Sequence, residues 1–175
     1  MRGKLIAGLG NPGPRYSLTR HNAGFLFADR LLDRFGEGAG DDLDGSPLVT
    51  LIDRPHVHLI TPLSYMNLSG PPVADALRLL RLTVDDLLVV HDDIDIPVGD
   101  VRYKEGGGHG GHNGLKSLFE SLGSPAFSRI RIGVGRPAPG VAVVDHVLGT
   151  FTPAEVDPID EALDRAVELA GQWIS

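Results

Sequence analysis

The 175-residue chain has no cysteine, so it can form no disulfide, no thiolate nucleophile and no cysteine-ligated metal site. It also has no run approaching the roughly 18 apolar residues that a membrane-spanning helix needs. The apolar stretch at residues 5–9 is too short for the core of a secretory signal, and no small-residue cleavage site follows it. These absences predict a cytoplasmic protein without a membrane partner.

Positive charge is also scarce: 16 lysines and arginines stand against 23 acidic residues, which gives a formal net charge of −7. Nucleic-acid-binding domains usually carry a basic surface, so this total argues against such a partner. Binding depends on a local patch, however, and many of the acids are concentrated at residues 37–44 and 155–168. Six basic residues lie together elsewhere in the sequence: Arg102, Lys104, Lys116, Arg129, Arg131 and Arg136. The sequence therefore permits a basic side on an acidic protein.

Strand-like and helix-like segments alternate along the chain. Short apolar runs predict strands at residues 4–9, 87–90, 101–103 and 130–134, and a hairpin at 48–60. Helical spacing of apolar residues predicts helices at 22–35, 69–80, 113–122 and 152–170. This alternation is typical of one α/β domain, here residues 1–175, with a largely parallel sheet.

Local chemistry predicts where the helices begin. Asn22, Asn113 and Thr152 are the predicted N-caps, the last of them within a capping box. In the final helix Val156 is expected to face inward with the apolar residues that follow at helical spacing. The polar, glycine-rich residues 37–47 are predicted to form a mobile loop.

The first of two glycine-rich segments resembles a dinucleotide-binding motif without completing it. Gly8, Gly10 and Gly13 fit the pattern G-x-G-x-x-G, which requires a helix to start inside the motif. Pro12 and Pro14 prevent that start, because each lacks an amide donor and restricts the residue before it. No acidic residue ends a second strand about 20 residues later, as the motif also requires. A dinucleotide site is therefore disfavoured.

The second segment is the glycine run at residues 106–111, which a predicted helix follows. It is not a P-loop, because Leu115 separates Gly114 from Lys116. The glycines still allow close backbone approach to a ligand. The amides at the start of the next helix favour an anion or a polarised carbonyl. We therefore expect a ligand-facing loop here.

The candidate chemistry lies on two loops, residues 10–22 and 91–113, that leave predicted strands. In α/β proteins the site lies beyond the C-terminal ends of strands. His21 precedes a helix on the first loop, and Asp92 follows a buried strand on the second. A carboxylate at one ring nitrogen fixes the tautomer in which the other nitrogen acts as a base. Because the chain has neither cysteine nor a G-x-S-x-G serine, this pair favours direct activation of water.

A metal site is the alternative interpretation of the second loop. His109 and His112, together with His91 and Asp92, offer imidazole and carboxylate ligands. The spacing H-x-x-H outside a helix is a weak signature, however. A metal-free site is preferred, and no cofactor is predicted.

The sequence resembles the bacterial peptidyl-tRNA hydrolase family in five blocks that occur in order along nearly the whole chain. They are GLGNPGPRYSLTRHNAGF at 8–25, TPLSYMNLSG at 61–70, VVHDDIDIPVG at 89–99, GGGHGGHNGLKS at 106–117 followed by RIRIGVGRP, and VLGTF at 147–151. The resemblance implies a single-domain, three-layer α/β/α fold with a mixed, mostly parallel twisted sheet. It also implies a monomer that hydrolyses the ester between a peptide and tRNA.

The resemblance assigns roles to individual residues. His21 is expected to be the general base and Asp92 to support its basic form. Asn11 is expected to sense the blocked amine that separates peptidyl-tRNA from aminoacyl-tRNA. Asn67 and Asn113 are expected to bind the peptide backbone and the ester region.

Contacts to tRNA are implied in the same way. Tyr16 and Tyr65 are expected to line the cleft around the 3′ CCA end, and Lys104 and Arg131 to hold the 5′-phosphate. Phosphate contacts carry no base readout, which suits an enzyme that accepts any tRNA.

Two other functions stay open at this point. A non-catalytic RNA-binding relative on the same fold would not need a matched base and acid, whereas this chain retains Asn11, His21 and Asp92. A small-molecule esterase or peptidase would act without tRNA. Competition by tRNA, or by its 3′ end, distinguishes that enzyme from a peptidyl-tRNA hydrolase.

Overall fold

In the computed structural model, which describes residues 2–175, seven strands form one sheet. Their bounds are β1 Lys4–Gly8, β2 Glu37–Leu43, β3 Ser46–Leu51, β4 Val57–Ile60, β5 Leu87–Asp93, β6 Val101–Glu105 and β7 Ser128–Gly133. The described part of the chain also contains the helices α1 Ala23–Phe35, α2 Gly70–Leu80, α3 Asn113–Leu122, α4 Val143–Val147 and α5 Pro153–Ile174. Short 3₁₀ turns lie at Arg20–Asn22, Met66–Leu68 and Val84–Asp86. None of the described helices is long and apolar enough to cross a membrane.

The order of strands across the sheet is β2-β3-β4-β1-β5-β7-β6. The central pairs β4–β1, β1–β5 and β5–β7 are parallel. The pairs towards both edges are antiparallel, and they include the predicted hairpin of β3 and β4. The predicted mixed sheet is therefore confirmed, with its parallel part at the centre. As a result, the C-terminal ends of β1 and β5 lie side by side.

Helices cover both faces of this sheet. α1 and α5 pack against Ile6, Leu88 and Ile130 on one face, and α2 and α3 pack against Leu5 and Val89 on the other. Successive residues of a strand join opposite layers because strand side chains alternate in direction. All five side chains are fully buried, and burial of each contributes roughly 1.5–3 kcal/mol. The three-layer α/β/α architecture is confirmed.

The prediction of a mobile loop at residues 37–47 is wrong. Glu37–Leu43 form the edge strand β2, which pairs antiparallel with β3. Most of its side chains are exposed, so no apolar alternation marks it as a strand. A Cβ on Gly38 or Gly40 would lie 2.7 Å from a carbonyl oxygen of β3, so glycine permits the close pairing. The acidic side chains of this edge discourage pairing with another chain.

The predictions for helix starts have different outcomes. Thr152 begins α5 in the expected capping box. Asn22 occupies the N-cap position of α1, but its side chain makes no capping bond. The prediction for α3 is wrong, because His112 is the N-cap and Asn113 is the first helical residue. Val156 is also not inward-facing: it is 49% exposed, since the buried stripe of α5 begins one turn later.

The first glycine motif serves packing rather than nucleotide binding. A Cβ on Gly8 would lie 2.5 Å from the carbonyl oxygen of Gly24. A Cβ on Gly24 would lie 2.4 Å from the backbone nitrogen of Leu9 and 2.5 Å from the carbonyl oxygen of Val90. Only glycine allows so close an approach between β1, β5 and the start of α1. This approach holds the turn Arg20–Asn22 beside the ends of the two central strands.

Candidate active site

The loops that leave β1 and β5 meet at a cavity of about 850 Å³. Because these strands are parallel neighbours, their C-terminal ends open on the same edge of the sheet. The turn before α2, the start of α3, the strands β6 and β7 and the helix α4 complete the wall. Polar residues of the lining include Asn11, His21, Asn67, Asp92, His112 and Asn113. The cavity thus lies where the sequence predicts the ligand-facing loops.

His21 and Asp92 form a buried pair at this cavity. Asp92, at the end of β5, is 2% exposed, and His21, in the turn before α1, is 9% exposed. The Nδ1 of His21 lies 3.0 Å from the Oδ1 of Asp92 and 2.9 Å from its Oδ2. Since an ionised carboxylate only accepts hydrogen bonds, Nδ1 donates and the lone pair is on Nε2. The contact that the sequence suggests between these two residues is present.

This pair controls the protonation of both groups. Burial lowers the pKa of His21, but the charge of Asp92 and the hydrogen bond to it raise that pKa above its ordinary value. Burial by itself would raise the pKa of Asp92, but His21 and His112 hold it well below its usual range. Asp92 is therefore ionised at neutral pH, and His21 is a stronger base than a free imidazole.

His112 is the second histidine on Asp92. Its Nε2 lies 2.8 Å from the Oδ1 of Asp92. Its Nδ1 accepts from the backbone N–H of Gly114 at 3.0 Å and from that of Leu115 at 3.3 Å, which makes it the N-cap of α3. Because Nδ1 accepts, the ring proton is on Nε2 and is donated to Asp92. From the sequence, His112 is predicted only as a candidate metal ligand. Its position directly before a predicted helix is the signal that could have indicated an N-cap.

The alternative metal set is assembled only in part. Of the four residues considered, Asp92 and His112 come together, and His21 joins them with all ligand atoms within 4.8 Å. His109 is exposed and accepts from the backbone N–H of Gly111 at 2.9 Å instead. A cation at this cluster would displace the two imidazole protons that bond to Asp92. On His112 the proton would have to move to Nδ1, which would break the cap of α3, so the donor set is better suited to hydrogen bonding.

His91, the residue before Asp92 in β5, also lines the cavity, and its ring lies against that of His112 with centroids 5.0 Å apart. Its Nδ1 donates to the carbonyl oxygen of Asp92 at 2.7 Å. Burial, helped by the neighbouring His112 and Arg129, lowers the pKa of His91 to about 3. The ring is therefore neutral and adds no charge to the cavity.

A fixed network orients Asn11. The side chain of Asn22 accepts from the backbone N–H of Asn11 at 2.8 Å and donates to its carbonyl oxygen at 2.9 Å, which is why Asn22 does not cap α1. The Oδ1 of Asn11 accepts from the backbone N–H of Met66 at 2.7 Å. The Nδ2 of Asn11 is thus available as a donor at the cavity wall. Asn67 and Asn113, by contrast, are exposed residues of that wall.

The two tyrosines contact each other, but only Tyr65 lines the cavity. Their rings meet edge to face, with centroids 6.5 Å apart. Tyr65 lines the cavity and is 58% exposed, whereas half-buried Tyr16 lies behind it. Together they offer an aromatic surface beside the asparagines.

The opposite side of the cavity is basic. Lys104 on β6 and Arg131 on β7 both line it, and the nearest acid to Arg131 is Asp93 at 3.7 Å. Arg129 is 2% exposed and donates to the carbonyl oxygens of the glycine loop, to Gly108 at 2.6 Å and Gly107 at 2.7 Å. Burial lowers the pKa of Arg129. Basic residues that are separated in the sequence therefore line the same cavity, together with the acids Asp93 and Asp95.

Sequence reasoning missed Arg20, the residue before His21. Its guanidinium is 8% exposed and donates to Glu155 at 2.7 Å and to the carbonyl oxygen of His146 at 3.0 Å. These contacts join the turn of His21 to α4 and to the start of α5. A lone arginine inside a loop gives no sequence signal for a partner so far along the chain.

The fold and the cavity define an α/β enzyme in which imidazole, asparagine, lysine and arginine side chains surround one site. The sequence model of the peptidyl-tRNA hydrolase family matches residues 5–175. Peptidyl-tRNA hydrolase of Citrifermentans bemidjiense is 51% identical, over 99% of this chain and 93% of the relative. That of Brevibacillus brevis is 44% identical, over 97% and 90%.

A solved structure agrees with these sequence matches. The crystal structure of peptidyl-tRNA hydrolase from Acinetobacter baumannii superposes with a TM-score of 0.87 at 38% identity, over 95% of this chain and 85% of that one. The chain belongs to the peptidyl-tRNA hydrolase family. The family resemblance stated from the sequence is therefore confirmed.

Proposed function

We propose that this chain hydrolyses the ester between a peptide and the 3′ end of tRNA, and so returns free tRNA to translation. The observation that carries the proposal is the buried His21–Asp92 pair, whose Nε2 is left as a base at a large cavity. This pair occurs in a member of a family whose relatives carry that activity in their names.

His21 is the proposed general base. Its Nε2 takes a proton from water while the water oxygen attacks the ester carbonyl carbon, and ionised Asp92 stabilises the imidazolium that forms. Collapse of the tetrahedral intermediate breaks the bond to the 3′ oxygen of the ribose, and that oxygen receives the proton from His21. The products are a peptide carboxylate and a free hydroxyl, so these steps need no cofactor and no covalent intermediate.

Asn67 and Asn113 are proposed to bind the ester region and the peptide backbone. Both are exposed on the cavity wall. An amide that donates to the developing oxyanion is worth about 10²–10³ in rate. Asn113 is the first residue of α3, and the positive end of that helix's dipole also favours negative charge there. Neutral amides also recognise peptide groups without a preference for side chains.

Asn11 is proposed to separate peptidyl-tRNA from aminoacyl-tRNA. Because its Oδ1 is already bonded to Met66, Nδ2 is the group it can offer to a substrate. A blocked amine brings a carbonyl oxygen that accepts this bond. A free ammonium group has donors only, and leaving a buried donor unmatched costs about 1–3 kcal/mol.

The basic and aromatic parts of the rim are proposed to bind tRNA. Lys104 and Arg131 hold the 5′-phosphate, and Tyr16 and Tyr65 line the cleft around the 3′ CCA end, where aromatic rings stack on bases of any sequence. The position of Lys104, Arg131 and Tyr65 in the lining of the same cavity supports this assignment, and the ring of Tyr16 contacts that of Tyr65. We expect the protein to act in the cytoplasm as a monomer.

A hydrolysis assay in excess EDTA tests the proposal. Peptidyl-tRNA is the substrate, aminoacyl-tRNA with the same amino acid is the matched control, and release of free tRNA is measured. We expect sustained turnover of peptidyl-tRNA and about tenfold or more slower turnover of the control. Zinc-dependent recovery after EDTA would contradict the metal-free mechanism.

Two results would favour the other functions. Tight tRNA binding without turnover would indicate a non-catalytic RNA-binding relative. Hydrolysis of simple esters that tRNA does not inhibit would indicate a small-molecule esterase.

A further inference from the structure

His112 joins two parts of the cavity that the proposed reaction uses separately. Its Nε2 donates to Asp92 at 2.8 Å. Its Nδ1 accepts from the backbone N–H groups of Gly114 and Leu115. Both nitrogens of one ring are therefore occupied, and the side chain is only 10% exposed.

We propose that His112 is a positioning residue with two separable tasks: it places Asn113 by capping α3, and it shares the carboxylate of Asp92 with His21, which limits the basicity of His21. The inference rests on the proposed function, in which Asn113 binds the ester region and His21 is the base.

The capping task follows from what precedes α3. The loop before His112 consists largely of glycine, and Gly106, Gly107, Gly110 and Gly111 all have positive φ. Such a loop places few limits of its own on where the helix begins. The bonds from the Nδ1 of His112 to the first amides of α3 supply that limit. Asn113 is the next residue, so its direction depends on the cap.

The sharing task follows from the contacts of Asp92. Its Oδ1 accepts from both His21 and His112, at 3.0 Å and 2.8 Å. An acceptor that serves two donors offers less negative charge to each of them. The other titratable groups nearby are His91 on β5, which bonds to the backbone carbonyl of Asp92, and Arg129 on β7, whose charge helps to lower the pKa of His91. Removal of the His112 donor therefore leaves the full carboxylate to His21.

Two matched variants separate the tasks, because an Asn amide reaches about as far as Nδ1 of histidine and a Gln amide about as far as Nε2. His112→Asn keeps a good cap acceptor and loses the bond to Asp92. His112→Gln keeps a donor towards Asp92 and is a poor N-cap. Two readouts need no activity: hydrogen exchange at the amides of Gly114 and Leu115, and an NMR titration of His21. Steady-state kinetics on peptidyl-tRNA provide the third.

For His112→Asn we expect near-normal protection of the two amides, and an upward shift of the His21 titration and of the acidic limb of kcat/KM by about half a pH unit or more. For His112→Gln we expect the two amides to exchange roughly fivefold faster, a lower kcat/KM and an unchanged titration of His21. The inference is wrong if both variants change both properties together, or if neither changes either. If the wild-type chain itself fails to hydrolyse peptidyl-tRNA, the proposed function fails, while exchange and titration still decide the two tasks.

Discussion

On the β5 side of the cavity the polar side chains are buried and bonded to one another, whereas on the β6 side Lys104 and Arg131 have few contacts with other side chains. His21, Asp92 and His112 are joined by contacts of 2.8–3.0 Å. Lys104 is exposed on an edge strand, and the guanidinium of Arg131 lies 3.7 Å from the carboxylate of Asp93. The side chains on the β5 side are therefore held in place by the protein itself, whereas Lys104 and Arg131 keep donors that are free to bind an anion.

This difference predicts which kinetic constant each side controls. Groups held in place before substrate arrives stabilise charge that develops in the transition state, so their loss lowers kcat. A cation on a remote phosphate acts equally on ground and transition states, so its loss raises KM. Variants on the two sides should therefore separate cleanly.

The largest effect is expected for His21→Ala. The variant keeps the fold but loses the base, so kcat falls by about 10²–10⁴-fold, with KM little changed. Single-turnover hydrolysis and circular dichroism check both parts. If kcat stays above roughly a tenth of the wild-type value, His21 is not the base.

Asp92→Asn comes next. Wild-type activity falls as pH drops through the raised pKa of His21, because protonation removes the lone pair on Nε2. Without the negative charge that pKa falls, so the acidic limb moves to lower pH by about one unit or more. We expect kcat to drop on the order of tenfold to a hundredfold because the imidazolium loses its counter-charge. A pH–rate profile with an unmoved acidic limb would contradict this coupling.

A smaller effect is expected on the basic side. Lys104→Ala and Arg131→Ala should each raise KM with kcat nearly unchanged, and reduce the salt dependence of tRNA binding by about one unit of slope at most. A short substrate that lacks the 5′-phosphate serves as the control and should be indifferent to both changes. If the double variant binds intact tRNA like the wild type across a salt series, the patch must be sought around Lys116 and Arg136.

The smallest effect is expected at the acidic edge. Asp41→Asn removes an exposed negative charge from β2, at the far edge of the sheet from β6. Exposed charges beyond a Debye length of about 8–10 Å are screened, so kcat, KM and the salt slope should stay at wild-type values. A lower KM for Asp41→Asn, measured in the same salt series, would show that total charge rather than a local patch governs tRNA binding.

Patterns within single elements carry most of what the sequence predicts correctly. The apolar run of β5, the stripe of α2 and the capping box at Thr152 each reflect local physics, and the parallel centre follows from their alternation. The strand β2 was not predicted, because its exposed and glycine-containing residues show no periodic pattern of apolar side chains. Its strand form depends on pairing with β3, which is a tertiary effect.

In the candidate site, too, some contacts can be predicted from the sequence and others depend on the tertiary structure. The His21–Asp92 contact is foreseeable, because both residues follow neighbouring parallel strands. The contact of His112 with Asp92 is not, since it depends on where α3 begins. The use of Asn22 to hold Asn11, rather than to cap α1, is also decided by the fold.

The pair of Arg20 and Glu155 bears on the timing of synthesis. The two residues are 135 positions apart, so the turn next to His21 is made long before its anchor on α5 leaves the ribosome. Until α5 has emerged and packed on α1, the guanidinium of Arg20 cannot bind the carboxylate of Glu155. The turn that carries His21, the proposed base, is then not held in position. A nascent chain is itself a peptidyl-tRNA. A nascent chain in which α5 has not yet folded is therefore expected to be inactive towards its own tRNA.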